Sequence, residues 1–214
     1  MRDGDPVEVR SALLGDGPFA GSLVHWMCSD GRLSATALDL CSVPPGRLPV
    51  IAADLAGPAR PRGLSLRQTD LAQTVTPADF QVPLGVAGLS DFDHDRRFLD
   101  ESILRLVAVV SSQYLNSVGF TPAFTARTGL NRMSVEKCYS LNTCCCPGDF
   151  LWADTKVTGL ARKSLVLCHD IYSGSVRIAR VEHVLVVVDL KTRRIVTIPR
   201  DQLAFADGPP DAVS

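Results

Sequence analysis

"GLSDFDHDRRFLDESILRLVAVVSSQYLNSVG", residues 88 to 119, joins two unlike halves. The first, through Ser102, packs five acids, two arginines and a histidine. In the second, Ile103, Leu104, Val107, Val110, Ser111 and Tyr114 recur at helical spacing and draw one apolar stripe. This pattern predicts a helix from about Asp100 to Val118. Asp100 and Glu101 suit its start, where carboxylates cap free N–H groups and meet the positive end of the dipole, and Gly119 suits its stop. No other stretch carries so clear a helical period.

Around this helix the chain reads as strands. "TPADFQVPLGVAG" (76–88) precedes the acidic stretch as one strand, and residues 132 to 146 read as another. Residues 148 to 203 follow with long β-branched runs, a turn at Gly174, and "DLKTRR" (189–194) as the tip of a hairpin. Residues 4 to 55 run through a similar order of signals. Each stretch has Gly-Asp, an alternating run, a glycine break (Gly15–Gly17; Gly159), Ser-Leu-Val (Ser22–Val24; Ser164–Val166), a glycine turn (Gly31; Gly174) and a basic turn into a short strand (Arg47–Ile51; Arg193–Ile198). The shared order points to duplication. The expected organisation is a strands-only partial repeat over 1–57, a Pro/Gly/Arg-rich linker over 58–75, the main domain over 76–206, and a tail over 207–214. A sheet that must bury one face has one long helix to cover it, so the fold class is α+β, with an antiparallel sheet wrapped on a central helix.

Composition narrows the function classes. A net charge of -1 with 46% hydrophobic residues describes a globular chain and excludes a general nucleic-acid binder, which needs a basic excess. The apolar run "ILRLVAVV" (103–110) contains Arg105 and is far short of the roughly 20 residues that span a bilayer. Seven cysteines and a charged start without an apolar signal core suggest reduced thiols and a cytoplasmic setting. Cys144, Cys145 and Cys146 lack a second pair at zinc spacing and read as small hydrophobes at a strand end. The Asp91, Asp93, Asp95 series opens like an EF-hand loop. Arg96 then stands where glycine is required and Ser102 where the bidentate glutamate is required, so no metal is expected.

Three stretches resemble the hotdog-fold thioesterases, and within them the tandem-hotdog acyl-ACP thioesterases. "SDFDHDRRFLDESILRL" (90–106) is similar to their S-D-x-D-x-N-x-H-V-N-N loop entering the central helix. "CCCPGDFLWADTKV" (144–157) is similar to their P-G-D strand start, and 159–199 to their last strands. The resemblance covers roughly residues 80 to 205, with 4 to 55 similar to the end of a preceding hotdog. It implies a hotdog fold, hydrolysis of acyl-ACP or acyl-CoA without a cofactor, and association with a further copy or another hotdog. Residue by residue, the family's second Asp falls on Asp93, its Asn on Asp95 and its His on Arg97, while its strand acid falls near Cys144. One acid is retained and the other three positions are replaced, so the resemblance equally accommodates a hotdog that binds acyl thioesters or serves as a subunit without turning them over. The first repeat lacks the strand and helix that precede such a segment in a complete hotdog, which implies a shortened chain or a partner over its exposed face.

Thioester hydrolysis needs a water or carboxylate aimed at the carbonyl, and donors where the oxyanion develops. An aspartate placed before a helix N-terminus meets this requirement by position, as base or as nucleophile, and Asp93 is that residue. Asp95 offers a second carboxylate, and His94 a substitute base or a substrate contact. Arg97 offers a permanent positive charge to neutralise the acids or hold the thioester oxygen. The same acids read equally as helix caps in a solvated loop of ion pairs. His25, His169 and His183 lie in predicted strands as ordinary interior or surface residues.

Overall fold

Residues 6–40, 48–60, 62, 80–142 and 145–205 are described by a computed structural model. The chain divides into two compact units, Met1–Arg62 and Gly63–Ser214. In the first, β1 (Glu8–Leu14), β2 (Leu23–Ser29) and β3 (Arg32–Asp39) form an antiparallel meander. Asp30 and Gly31 both take positive φ (52° and 72°) in the two-residue β2–β3 turn, the mirror-image geometry that matches strand twist and favours Asp-Gly. β4 (Val50–Ile51) then adds parallel to β1, and a 3-10 helix (Ala53–Ala59) buries Ala56 and Ala59 with Ala12, Leu14 and Val24. The expectation of strands alone over 1–57 omits this helix, whose small residues close over one face of the sheet.

Among the described residues of the second unit, β5 (Phe80–Val86) comes first and passes through the acidic loop into helix α1 (Asp100–Ser117), followed by a short helix α2 (Pro122–Thr128). Five strands follow: β6 (Leu130–Leu141), β7 (Phe150–Leu160), β8 (Ser164–Ser173), β9 (Val176–Asp189) and β10 (Arg194–Val196). The antiparallel sheet runs β5-β7-β8-β9-β6, with β10 paired to β9 beyond the point where β8 ends. Residues 189–194 form the expected hairpin tip. Gly159 is not a break between strands. It lies inside β7 at a bulge, where a Cβ would approach Val166 to 3.2 Å.

Helix α1 stops as its sequence demands. Gly119 takes φ +97°, its N–H donates to Asn116 O (3.1 Å), and the Phe120 N–H donates to Leu115 O (2.8 Å). This is a Schellman end, with Leu115 and Phe120 supplying its apolar contact. It starts at Asp100 as expected, with Asp100 and Glu101 in the first turn at the positive end of the dipole, but the N-cap is Leu99 and no side chain caps it.

The buried stripe of α1 is Ser102, Ile103, Val107, Val110, Ser111, Tyr114 and Leu115; Leu104 faces outward. It packs on β5, β7 and β8. Alternation along the strands delivers Leu151, Ala153, Val157, Leu167, Ile171 and Val181 to this face. Two apolar clusters result, one around Ile103, Val107 and Val110, the other around Tyr114, Leu115 and Phe120.

Polar residues are also deeply buried in the sheet. Thr155 and His169 are paired across β7 and β8, and Thr155 Oγ1 and His169 Nδ1 share a 2.8 Å hydrogen bond. His183 sits 6.1 Å away, ring to ring. No group among the described residues reaches His169 Nε2 or either nitrogen of His183. Burial pushes both imidazoles down, to about 3 and about 4; His183 and Lys137 add to the effect on His169, and Lys137 to that on His183. In the alternating set, Asp170 is clamped by Arg180 through two 2.6 Å bonds and approached by Arg177 at 3.4 Å. Its cross-strand neighbour Asp154 is buried, and burial raises its pKa against a smaller lowering by the neighbouring Gln81 side chain.

Candidate active site in the loop before the central helix

The acidic loop is a closed turn rather than an open coil. Phe92 and Phe98 bridge its two sides and stack edge to face at 5.1 Å, with Phe92 in the core beneath the N-terminal half of α1. Between them the chain reverses at Arg96, which takes φ +59°. The reversal sends the three aspartates in different directions.

Asp91 turns inward. Its Oδ2 accepts from the Gly88 N–H (2.9 Å), and its Oδ1 accepts from Ser102 Oγ (3.0 Å) and Arg105 Nη2 (2.7 Å). Its carbonyl accepts from the Leu99 N–H (2.8 Å). Asp93 turns across the loop. Its Oδ1 accepts from the backbone N–H groups of Asp95 and Arg97, each at 2.8 Å, and its own N–H donates to Arg97 O (2.9 Å). Asp93 Oδ2 takes no hydrogen bond from the described residues, and the residue is half-buried. Asp95 faces solvent with His94, whose Nε2 lies 3.4 Å from Asp95 Oδ2.

Arg97 therefore faces Asp93 through its backbone, and its exposed guanidinium lies within 4.0 Å of no carboxylate among the described residues. The neutralised Asp93–Asp95 pair expected from the sequence does not form: the two carboxylates engage different partners. Cys144 lies outside the described residues. Its neighbour Cys145 is buried against the core, and its thiol is pushed up to about 11 by burial first and Asp149 second, which disfavours the thiolate. Asp149, of the P-G-D segment, accepts from Ser173 Oγ (2.7 Å) and the Cys146 N–H (2.9 Å), which hold its carboxyl below the usual range and pin the start of β7.

The network of Asp91, Ser102 and Arg105 was missed by reasoning from the sequence. Its signal was present: Ser102 and Arg105 are three apart on one helix face, and Asp91 follows Gly88 by three. No group of three or more His, Cys, Asp or Glu among the described residues is arranged to hold a metal ion.

What this arrangement can do is limited and specific. One half-buried carboxylate is fixed by two amides and keeps one oxygen open, in the loop that runs into the N-terminus of α1.

No protein-family model matches the sequence, and no curated protein sequence matches it. Solved structures do. A hypothetical protein from Staphylococcus aureus in complex with CoA superimposes with a TM-score of 0.54 at 13% identity, over 64% of this chain and 94% of that one. The 12:0-ACP thioesterase from Umbellularia californica gives 0.53 at 15% identity, over 60% of this chain and 51% of that one. A 1,4-dihydroxy-2-naphthoyl-CoA thioesterase from Synechocystis gives 0.50 at 17% identity, over 56% and 90%. The fold is the hotdog fold, with the antiparallel sheet packed on α1.

Proposed function

We propose that this protein hydrolyses acyl thioesters carried on CoA or on an acyl carrier protein, with Asp93 as the reacting carboxylate. The observation that carries the reading is the state of Asp93: Oδ1 is held by two backbone amides while Oδ2 takes no hydrogen bond from the described residues, in the loop that leads into α1. A carboxylate fixed in this way keeps its aim without reorganising, which is what an attacking oxygen or a base for an attacking water requires. By one route Oδ2 adds to the thioester carbonyl and expels the thiolate, leaving an anhydride that water then hydrolyses. By the other it takes a proton from a water that adds there, after which the C–S bond breaks and the thiolate leaves protonated. The N–H groups of the first turn of α1 favour the oxyanion, and the exposed Arg97 guanidinium is a further donor for the carbonyl oxygen or for the anionic carrier. Support for the substrate class comes from the structural neighbours, one solved with CoA and others named as acyl-ACP and acyl-CoA thioesterases.

Asp95 and His94 stand at the rim, where contact with the carrier suits them better than bond making. The strands-first unit of residues 1–62 reads as the second half of another hotdog, a reading supported by the antiparallel meander and two-residue glycine turn that it shares with β7–β9. Incubation of the purified chain with acyl-CoA and acyl-ACP of several chain lengths tests the proposal by release of free thiol. Turnover supports it. Saturable binding of acyl-pantetheine with no thiol released contradicts it and favours a hotdog that binds without hydrolysing.

A further inference from the structure

Asp91, Ser102 and Arg105 close a ring of three hydrogen bonds at the root of the loop. Ser102 Oγ donates to Asp91 Oδ1 (3.0 Å), Arg105 Nη2 donates to the same oxygen (2.7 Å), and Arg105 Nη2 also reaches Ser102 Oγ (2.6 Å). Ser102 is completely buried on α1, so its hydroxyl is a fixed point of the core. Asp91 uses every remaining acceptor to hold the loop: Oδ2 takes the Gly88 N–H at the loop's start, and the carbonyl takes the Leu99 N–H at its end. Asp91 thus ties both ends of the loop together, its carboxylate holding the start to the first two turns of the central helix and its carbonyl holding the end. Two residues further on, Asp93 has bonds only to groups of the turn itself. Its position relative to α1 is therefore set by Asp91 and the packing of Phe92 on Phe98.

We infer that Arg105 and Ser102 are positioning residues, which act through Asp91 to hold the Asp93 carboxylate in register with the first turn of α1. The charge of Arg105 matters because a charge-assisted bond to a partly buried carboxylate is stronger than a neutral one, and its guanidinium reaches serine and aspartate at once. The Arg105 side chain is 58% exposed and that of Asp91 23%, so the Arg105 end of the clamp faces solvent and replacing Arg105 leaves the core intact. A displacement of about 1 Å at a reacting group lowers turnover on the order of 100-fold, which sets the scale of the effect. The catalytic part of this inference rests on the reading of Asp93 given above; the mechanical part does not.

The test uses the full chain carrying Arg105→Met, which keeps the stem without the charge, and Arg105→Lys, whose ammonium can still meet Asp91. Two quantities are measured: backbone 15N order parameters at Asp93, Asp95 and Arg97, and kcat and KM for thioester hydrolysis. In the parent chain these amides are expected near 0.85, the rigid-backbone value, and in Arg105→Met below about 0.6. The same variant is expected to lose at least tenfold in kcat with KM within about twofold, and Arg105→Lys to recover most of both quantities. Unchanged order parameters in Arg105→Met overturn the inference. Loosened amides with unchanged kcat overturn its catalytic part. Loosened amides in a chain that never hydrolyses a thioester support the clamp and refute the proposed activity, so the two failures are told apart.

Discussion

Removal of one buried imidazole should make the hotdog unit measurably less sensitive to acid. His169 is 0% exposed and His183 5% exposed, with three ring nitrogens unpartnered among the described residues. Their pKa values fall from 6.5 to about 3 and about 4, burial being the first cause of each. A histidine whose folded pKa lies below its unfolded value binds fewer protons when folded, so stability is full above about pH 6.5 and is lost as pH falls from there. At pH 5 each histidine has removed about 2 kcal/mol relative to pH 8, about 4 kcal/mol together, a large part of a typical folding free energy of roughly 5–15 kcal/mol. Asp154 and Glu182, both raised by burial, act oppositely because they take up protons in the folded state. The comparison with a variant isolates the histidine share. His183→Leu removes a group with no hydrogen bond among the described residues, so it should be neutral or stabilising at pH 8. Urea unfolding at pH 8, 6.5 and 5, read by Trp152 fluorescence in a Trp26→Phe background, should show the variant losing about 2 kcal/mol less than its parent between the extremes. Identical pH dependence in the two proteins would refute a neutral, buried His183.

Two further substitutions probe packing and electrostatics separately. Gly119→Ala places a Cβ at φ +97°, in a helix end that needs the left-handed region, and should lower stability by about 1–2 kcal/mol in urea unfolding. Asp154→Asn removes a buried negative charge that burial disfavours. It should raise stability by about 1 kcal/mol at pH 8 and by less at pH 4, where the raised pKa already leaves more of the acid neutral.

The sequence made some of this structure plain and hid the rest for identifiable reasons. Helix α1 was legible because Ile103, Val107, Val110, Ser111 and Tyr114, five of the six positions read as its stripe, are buried at helical spacing and Gly119 ends it. Strands β7 to β10 were legible from their β-branched runs and the turns at Gly174 and 189–194. Helix α2 was not, since two turns are too few for a period to show. Its signals were nonetheless present, with Thr121 accepting from the Phe124 N–H, Pro122 in the first turn, and Gly129 at φ +70°. At the site, the spacing of Asp91, Asp93 and Asp95 would put all three on one side of an extended strand. The pairing of Phe92 with Phe98 and the reversal at Arg96 separate them instead, into a clamp, a turn-held carboxylate and a solvent-facing acid. Such a separation depends on tertiary packing, which residue spacing does not encode.

The most direct measurement is the rate at which Asp93→Asn releases thiol from an acyl-CoA or acyl-ACP that the parent chain hydrolyses, with Asp95→Asn as the control. Asparagine keeps the Oδ1 acceptor for the two amides, so the turn survives while the open oxygen loses its charge and basicity. A loss of about 100-fold or more in kcat for Asp93→Asn, with Asp95→Asn close to the parent, is the predicted result. Equal turnover by Asp93→Asn and the parent chain would contradict the assignment of Asp93 as the reacting group.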